Sequence, residues 1–140
     1  MTARLTPLVG LVLLAASCGG DGVVSMVGGP PAPDAPTLSE LQSSVFTPRC
    51  AFPGCHAPPV PEQGMDLSVG STFASTVGVD STELSGFKRV APDNAADSYL
   101  YMKVAGDPRI VGERMPFGGM LTAEEIEGVR AWIDAGALDN

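Results

Sequence analysis

From residue 37 onward, two stretches of the chain place apolar residues at helical spacing. In "TLSELQSSVF", Leu38, Leu41, Val45 and Phe46 fall on one face of a helix. Thr37, followed three residues later by Glu40, forms a capping box. Pro48 disfavours the helical conformation at Thr47, so this helix is expected to stop or kink just before Cys50. The second stretch is the C-terminal "LTAEEIEGVRAWIDAGAL". Thr122 and Glu125 repeat the capping box, and Leu121 and Ile126 occupy the two positions of a hydrophobic staple. Ile126, Val129, Trp132 and Ile133 build its apolar stripe, and Gly136 is placed to end it. Two weaker helices lie between. One covers "GSTFASTVG" (70–78). The other covers "ADSYLYMKVAG" (96–106), with Asn94 or Asp93 as cap and Gly106 as stop. No alternation is sustained enough for a strand ladder, and no segment repeats. The pattern predicts an all-α fold, a small helical domain with long loops, in which Phe46 and Trp132 meet where the terminal helices cross.

The pattern before residue 37 is different. Arg4 precedes the apolar run "PLVGLVLLAAS", which is too short for a membrane span of roughly 20 residues. Residues 1–17 therefore read as a secretory signal peptide. Leu14, Ala15, Ala16 and Ser17 lead into Cys18 in the manner of a bacterial lipobox, which makes Cys18 the expected lipidation site. Residues 18–36, "CGGDGVVSMVGGPPAPDAP", are rich in Gly and Pro and have no period, as a tether would. The folded domain is then 37–140. The expected address is a lipid anchor on a bacterial membrane, the outer one favoured, facing the periplasm or the cell surface.

Charge narrows the partners. The chain has 8 Lys and Arg against 16 Asp and Glu, and loss of Arg4 with the signal would take the formal charge from −8 to −9. An acidic domain without basic clusters argues against nucleic acid and against anionic lipid held by charge. It suits a partner with a basic face, docking on a monomer.

With 1 Trp, 2 Tyr and 5 Phe, the core is thin for such a domain. Domains of this kind usually need a metal, a disulfide or a bound cofactor as a staple. "CAFPGCH" (50–56) offers one. Cys50 and Cys55 remain once Cys18 is assigned to lipid, and the chain's single histidine, His56, directly follows Cys55. Haem attachment is ordinarily written Cys-x-x-Cys-His. Here four residues separate the cysteines, and Pro53-Gly54 favours a type II turn that folds the surplus back. Three readings stay open. In the first, both thiols bind haem vinyl groups and His56 is the proximal iron ligand. In the second, Cys50 and Cys55 close a disulfide in an oxidising compartment. In the third, zinc takes both thiols and His56 and lacks a fourth Cys or His.

A second iron ligand is sought among Met65, Met102, Met115 and Met120. A thioether is a soft ligand that raises the haem potential. Met102 lies on a helix and suits core packing. Met65 is close to His56 in sequence, on the wrong side for a short connection. Met115, in the Pro- and Gly-rich "ERMPFGGM", is preferred over Met120. Arg89 and Arg114 are candidates to pair with haem propionates. A backbone carbonyl in "PPVP" (58–61) is the nearest candidate to hold the free ring nitrogen of His56. Nothing else in the chain looks catalytic: there is no second histidine, no Ser-His-Asp set and no nucleotide-type glycine loop.

Taken together, the N-terminal helix, Cys…Cys-His, "RMP" and a C-terminal helix bearing Trp132 resemble a class I cytochrome c. The resemblance is closer to the small cytochrome c-like domains of exported bacterial lipoproteins. "GMDLS" (64–68), "RVAPDNAADSYLYMKV" (89–104) and "RMPFGGMLTAEEIEGVRAWIDAGA" (114–137) carry it across 40–138. It implies helices and loops wrapped round one haem c, thioethers at Cys50 and Cys55, and iron held by His56 and Met115. The implied function is electron transfer between redox proteins, not enzymatic catalysis. The alternatives are a haem protein with an open distal site, acting as ligand sensor or peroxidase-like enzyme, and a non-haem lipoprotein with a Cys50–Cys55 disulfide.

Overall fold

The computed structural model describes residues 35–140. The expected signal peptide, Cys18 and all of the expected tether but residues 35 and 36 lie outside the described residues. The described part is helical, with long connecting loops, so the all-α expectation holds at that level.

The first helix runs as α1 (Leu38–Leu41), a π-helical segment Gln42–Phe46 and α2 (Thr47–Arg49). Thr37 forms the capping box expected of it. The other free N–H groups of the first turn are met by the far end of the chain. Leu38 N–H donates to Asn140 Oδ1 at 2.9 Å, and Ser39 N–H to the Asn140 carbonyl at 2.9 Å. The helix stops just before Cys50, as expected, but Pro48 does not push Thr47 out of the helical conformation. Thr47 keeps helical dihedrals (φ −63°, ψ −51°). Thr47 N–H reaches back to the Gln42 carbonyl, the wide spacing of a π-turn, and such a turn lets a helix absorb a break in its ladder.

The remaining helices are α3 (Thr72–Thr76), α4 (Tyr99–Ala105) and α5 (Ala123–Asp134). Asn94 caps the short 3-10 turn Ala95–Asp97 that precedes α4, and α4 itself starts one residue after that turn. Gly106 ends α4 in the left-handed region, at φ 78°. The Thr122–Glu125 capping box opens α5. No strand ladder forms among the described residues. Isolated bridges instead join Val77 to Val90, Asp80 to Lys88 and Lys88 to Ser98.

The core lies where the first helix crosses α5. Phe46 and Trp132 meet edge to face, with centroids 6.5 Å apart and planes at 73°. Such a pair is worth about 0.5–1.5 kcal/mol beyond its burial. Gly128 permits the close approach: a Cβ there would lie 3.3 Å from Leu41 Cδ2. Trp132 Nε1 donates to the Leu138 carbonyl at 3.0 Å and so draws the last residues back over the core.

Candidate functional site: an apolar cavity behind the Cys-His loop

The loop 50–56 is folded tightly on itself. Cys55 N–H donates to the Phe52 carbonyl at 2.9 Å, with Gly54 at φ 82° between them. These are the marks of the type II turn expected at Pro53-Gly54. Outside that turn, His56 N–H and Phe52 N–H both donate to the Cys50 carbonyl, at 3.1 and 2.9 Å. The two surplus residues are thereby taken up, and Cys50, Cys55 and His56 all line one cavity.

That cavity has a volume of about 580 Å³, within the roughly 300–1,000 Å³ usual for cofactor and ligand sites. Its walls are mainly apolar. Val45 and Phe46 come from the first helix, Leu100 and Val104 from α4, and Leu121 and Val129 from the last helix and its approach. Met115 lines it too. Its N–H is fixed by the Lys103 carbonyl at 2.9 Å, which ties the "RMP" loop to α4. Met65 also lines the cavity, although its place in the sequence argued against it. Met102 is fully buried in the core instead. Met120 is 67% exposed and faces a separate surface depression.

His56 is held by a second loop. Its Nδ1 lies 3.2 Å from the Met65 carbonyl. The acceptor is therefore Met65 and not a carbonyl of "PPVP", because the loop 62–67 folds back alongside 55–56. Glu62 N–H donates to the Cys55 carbonyl at 2.7 Å, and Leu67 N–H to the His56 carbonyl at 2.8 Å. A carbonyl can only accept, so Nδ1 carries the proton and Nε2 keeps its lone pair. Burial holds the imidazole below its ordinary pKa of 6.5, so the ring is neutral at pH 7.

Both cysteines are free thiols. Burial, reinforced by Cys55 and Glu125, pushes the Cys50 thiol up to about 11. Among the described residues no three His, Cys, Asp or Glu side chains converge to hold a metal ion, so the zinc reading finds no donor set.

The arginines depart from expectation. Arg89 reaches the cavity wall, but its guanidinium is spent on the backbone carbonyls of Gln63, Gly64 and Ser75. Arg114 does not line the cavity. Its Nε donates to the Val104 carbonyl at 2.9 Å, and Nη1 lies 3.6 Å from the Met120 sulfur. A polar wall was missed in the sequence: Ser81, Thr82 and Glu83 face Tyr99 and Lys103 across the cavity rim. Lys103 pairs with Glu83 at 3.3 Å. The i, i+4 spacing of Tyr99 and Lys103 was a usable sign, since it puts both on one helix face.

Comparison with protein-family models, with curated proteins and with solved structures finds no match.

Proposed function

We propose that this chain is a monohaem c-type cytochrome of the lipoprotein kind, an electron-transfer carrier whose iron is held by His56 and Met115. One observation carries the reading. Two thiols, a neutral imidazole and the Met115 thioether line the same apolar cavity, although Met115 is some sixty residues from the other three in sequence. The donor set fits haem c: two thiols for the vinyl groups, and an imidazole nitrogen and a soft thioether sulfur for iron.

A bound haem would supply reversible one-electron exchange at its iron. The chain's own residues do the rest. The Met65 carbonyl fixes the tautomer and plane of His56. The apolar walls exclude water, which lowers the local dielectric and favours the less charged state. Phe52 and Phe117, 46% and 78% exposed at the mouth, offer apolar surface to a docking partner. The acidic chain suits a partner with a basic face. Residues 1–36 are read as a signal peptide and a tether lipidated at Cys18, which would hold the domain at a bacterial membrane. Among the described residues no helix is long and apolar enough to cross one.

The deciding experiment is production in a host able to attach haem c. The mature chain should gain the mass of one haem, keep it through acid–acetone extraction, and show a low-spin reduced spectrum. A chain that emerges from that host with a Cys50–Cys55 disulfide and no Soret band ends the reading. A high-spin spectrum would replace the carrier by an open-site haem protein.

A further inference from the structure

We infer that Arg89 is a positioning residue for His56: its guanidinium pins the turn that presents the Met65 carbonyl to the imidazole. Arg89 is buried to 8% exposure, although it is a charged residue of an acidic chain and has no carboxylate partner in the cavity wall. Its Nη1 donates to the Gly64 carbonyl at 3.2 Å and to the Ser75 carbonyl at 2.8 Å, and its Nη2 donates to the Gln63 carbonyl. Gln63 and Gly64 are both left-handed, with φ 54° and φ 62°. That conformation is costly at Gln63, which carries a Cβ, and it persists only where the surroundings impose it. The next residue is Met65, whose carbonyl accepts from His56 Nδ1.

The peg itself is fixed at its base. Arg89 N–H donates to the Val79 carbonyl at 2.7 Å, and the Arg89 carbonyl accepts from Leu100 N–H at 2.9 Å. One guanidinium thus references the His56 acceptor to α3 and α4, elements remote from the Cys-His loop in sequence. A planar fork of donors can hold three carbonyls at once, and a lysine ammonium at the same place cannot reproduce that geometry. Only what His56 is held for rests on the haem reading.

The test uses the whole haem-free chain, with its imidazole labelled with 15N, at a pH where His56 is neutral. Wild type should show the Nδ1–H tautomer. Arg89→Lys should move it toward Nε2–H. It should also speed amide exchange at Met65 and Leu67 by about tenfold or more, since a hydrogen bond from a charged donor is worth at least one decade. Arg130→Lys, at an exposed ion pair with Glu127 and Asp134, should leave both unchanged. An Arg89→Lys chain that melts earlier yet keeps tautomer and local exchange makes Arg89 a mere brace and overturns the inference. Should that variant not fold, the wild-type Arg89 Nη protons decide. Separate, slowly exchanging signals with contacts to residues 63–65 support the inference, and one averaged signal overturns it. In chain that has taken up haem, Arg89→Lys should raise the reduction potential, because a weaker Nδ1–H bond makes imidazole a poorer donor. Failure to bind haem would remove the cofactor reading and leave the tautomer result to stand or fall alone.

Discussion

Met115 and Met120 are five residues apart in sequence and have opposite surroundings. Met115 packs against the core and lines the cavity, whereas Met120 is largely in solvent with its sulfur beside Arg114. In haem-loaded chain Met115→Ala should abolish the near-infrared sulfur-to-iron band and lower the potential, while Met120→Ala leaves both nearly unchanged. Loss of the band in Met120→Ala alone would transfer the ligand to that residue. The thiols also differ. In haem-free protein at pH 8, alkylation followed by mass spectrometry should find the exposed Cys55 modified first. Cys50 should react at least about tenfold slower than in the unfolded chain, because burial pushes it to about 11 and only the thiolate attacks. Asp107 gives a pH prediction. Arg109 grips its carboxylate with two N–H bonds of 2.9 Å and depresses it from 3.8 to about 2. A depressed acid stabilises the fold above pH 3.8, and that contribution is lost as pH falls through about 2. The pair is exposed, so salt should weaken it. A carboxyl titration by NMR should return Asp107 toward 3.8 in Arg109→Ala. At this scale the sequence singled out Cys50, Cys55, His56 and Met115, and all four line one cavity, together with Met65, which it had set aside. It was silent about acceptors. The Met65 carbonyl belongs to the backbone, and no side-chain identity announces where a loop will turn it.

Both terminal helices were legible because capping boxes and apolar spacing are local signals, and each was found where the residues put it. Thr122→Ala should cost about 1 kcal/mol in chemical denaturation, the usual value of an N-cap oxygen. Trp132→Ala should cost roughly 3–5 kcal/mol, because it removes a buried aromatic from both the Phe46 contact and the Leu138 tie. Equal effects for the two would contradict the placement of the core at this crossing. The passage through Pro48 was not legible. A proline rule considers only the neighbouring residue, whereas the π-turn that accommodates it spreads over Gln42–Phe46. The link between α3 and the His56 loop was hidden for a similar reason. It depends on two side chains, Arg89 crossing between segments that share no periodicity and Ser75 of α3 donating to the Asp66 carbonyl.

For the molecule as a whole, the thin aromatic count pointed to a space to be filled, and the domain does enclose a cavity of cofactor size between its helices and loops. Its polar rim at 81–83 could not be placed, because isolated bridges rather than a ladder position that loop. The proposed tether makes a prediction at the same scale. Cys18→Ala should shift the protein from the membrane fraction to the soluble one, or stop its processing. Wild-type protein recovered wholly soluble with an unmodified first residue would remove the lipid anchor.

Asn140 closes the first turn of α1, and Leu121 and Val129 complete the cavity wall. Both come from the last stretch of the chain. A polypeptide that emerges N-terminus first therefore delivers Cys50, Cys55 and His56 long before the wall that will enclose them. During that interval the first helix lacks α5 as a neighbour, and pairing over such a sequence separation is slow to form. Cys50 stays open to solvent until α5 packs across the first helix, whereas Cys55 remains exposed in the folded domain. The order of emergence thus leaves a time window in which the Cys50 thiol is accessible before α5 covers the cavity.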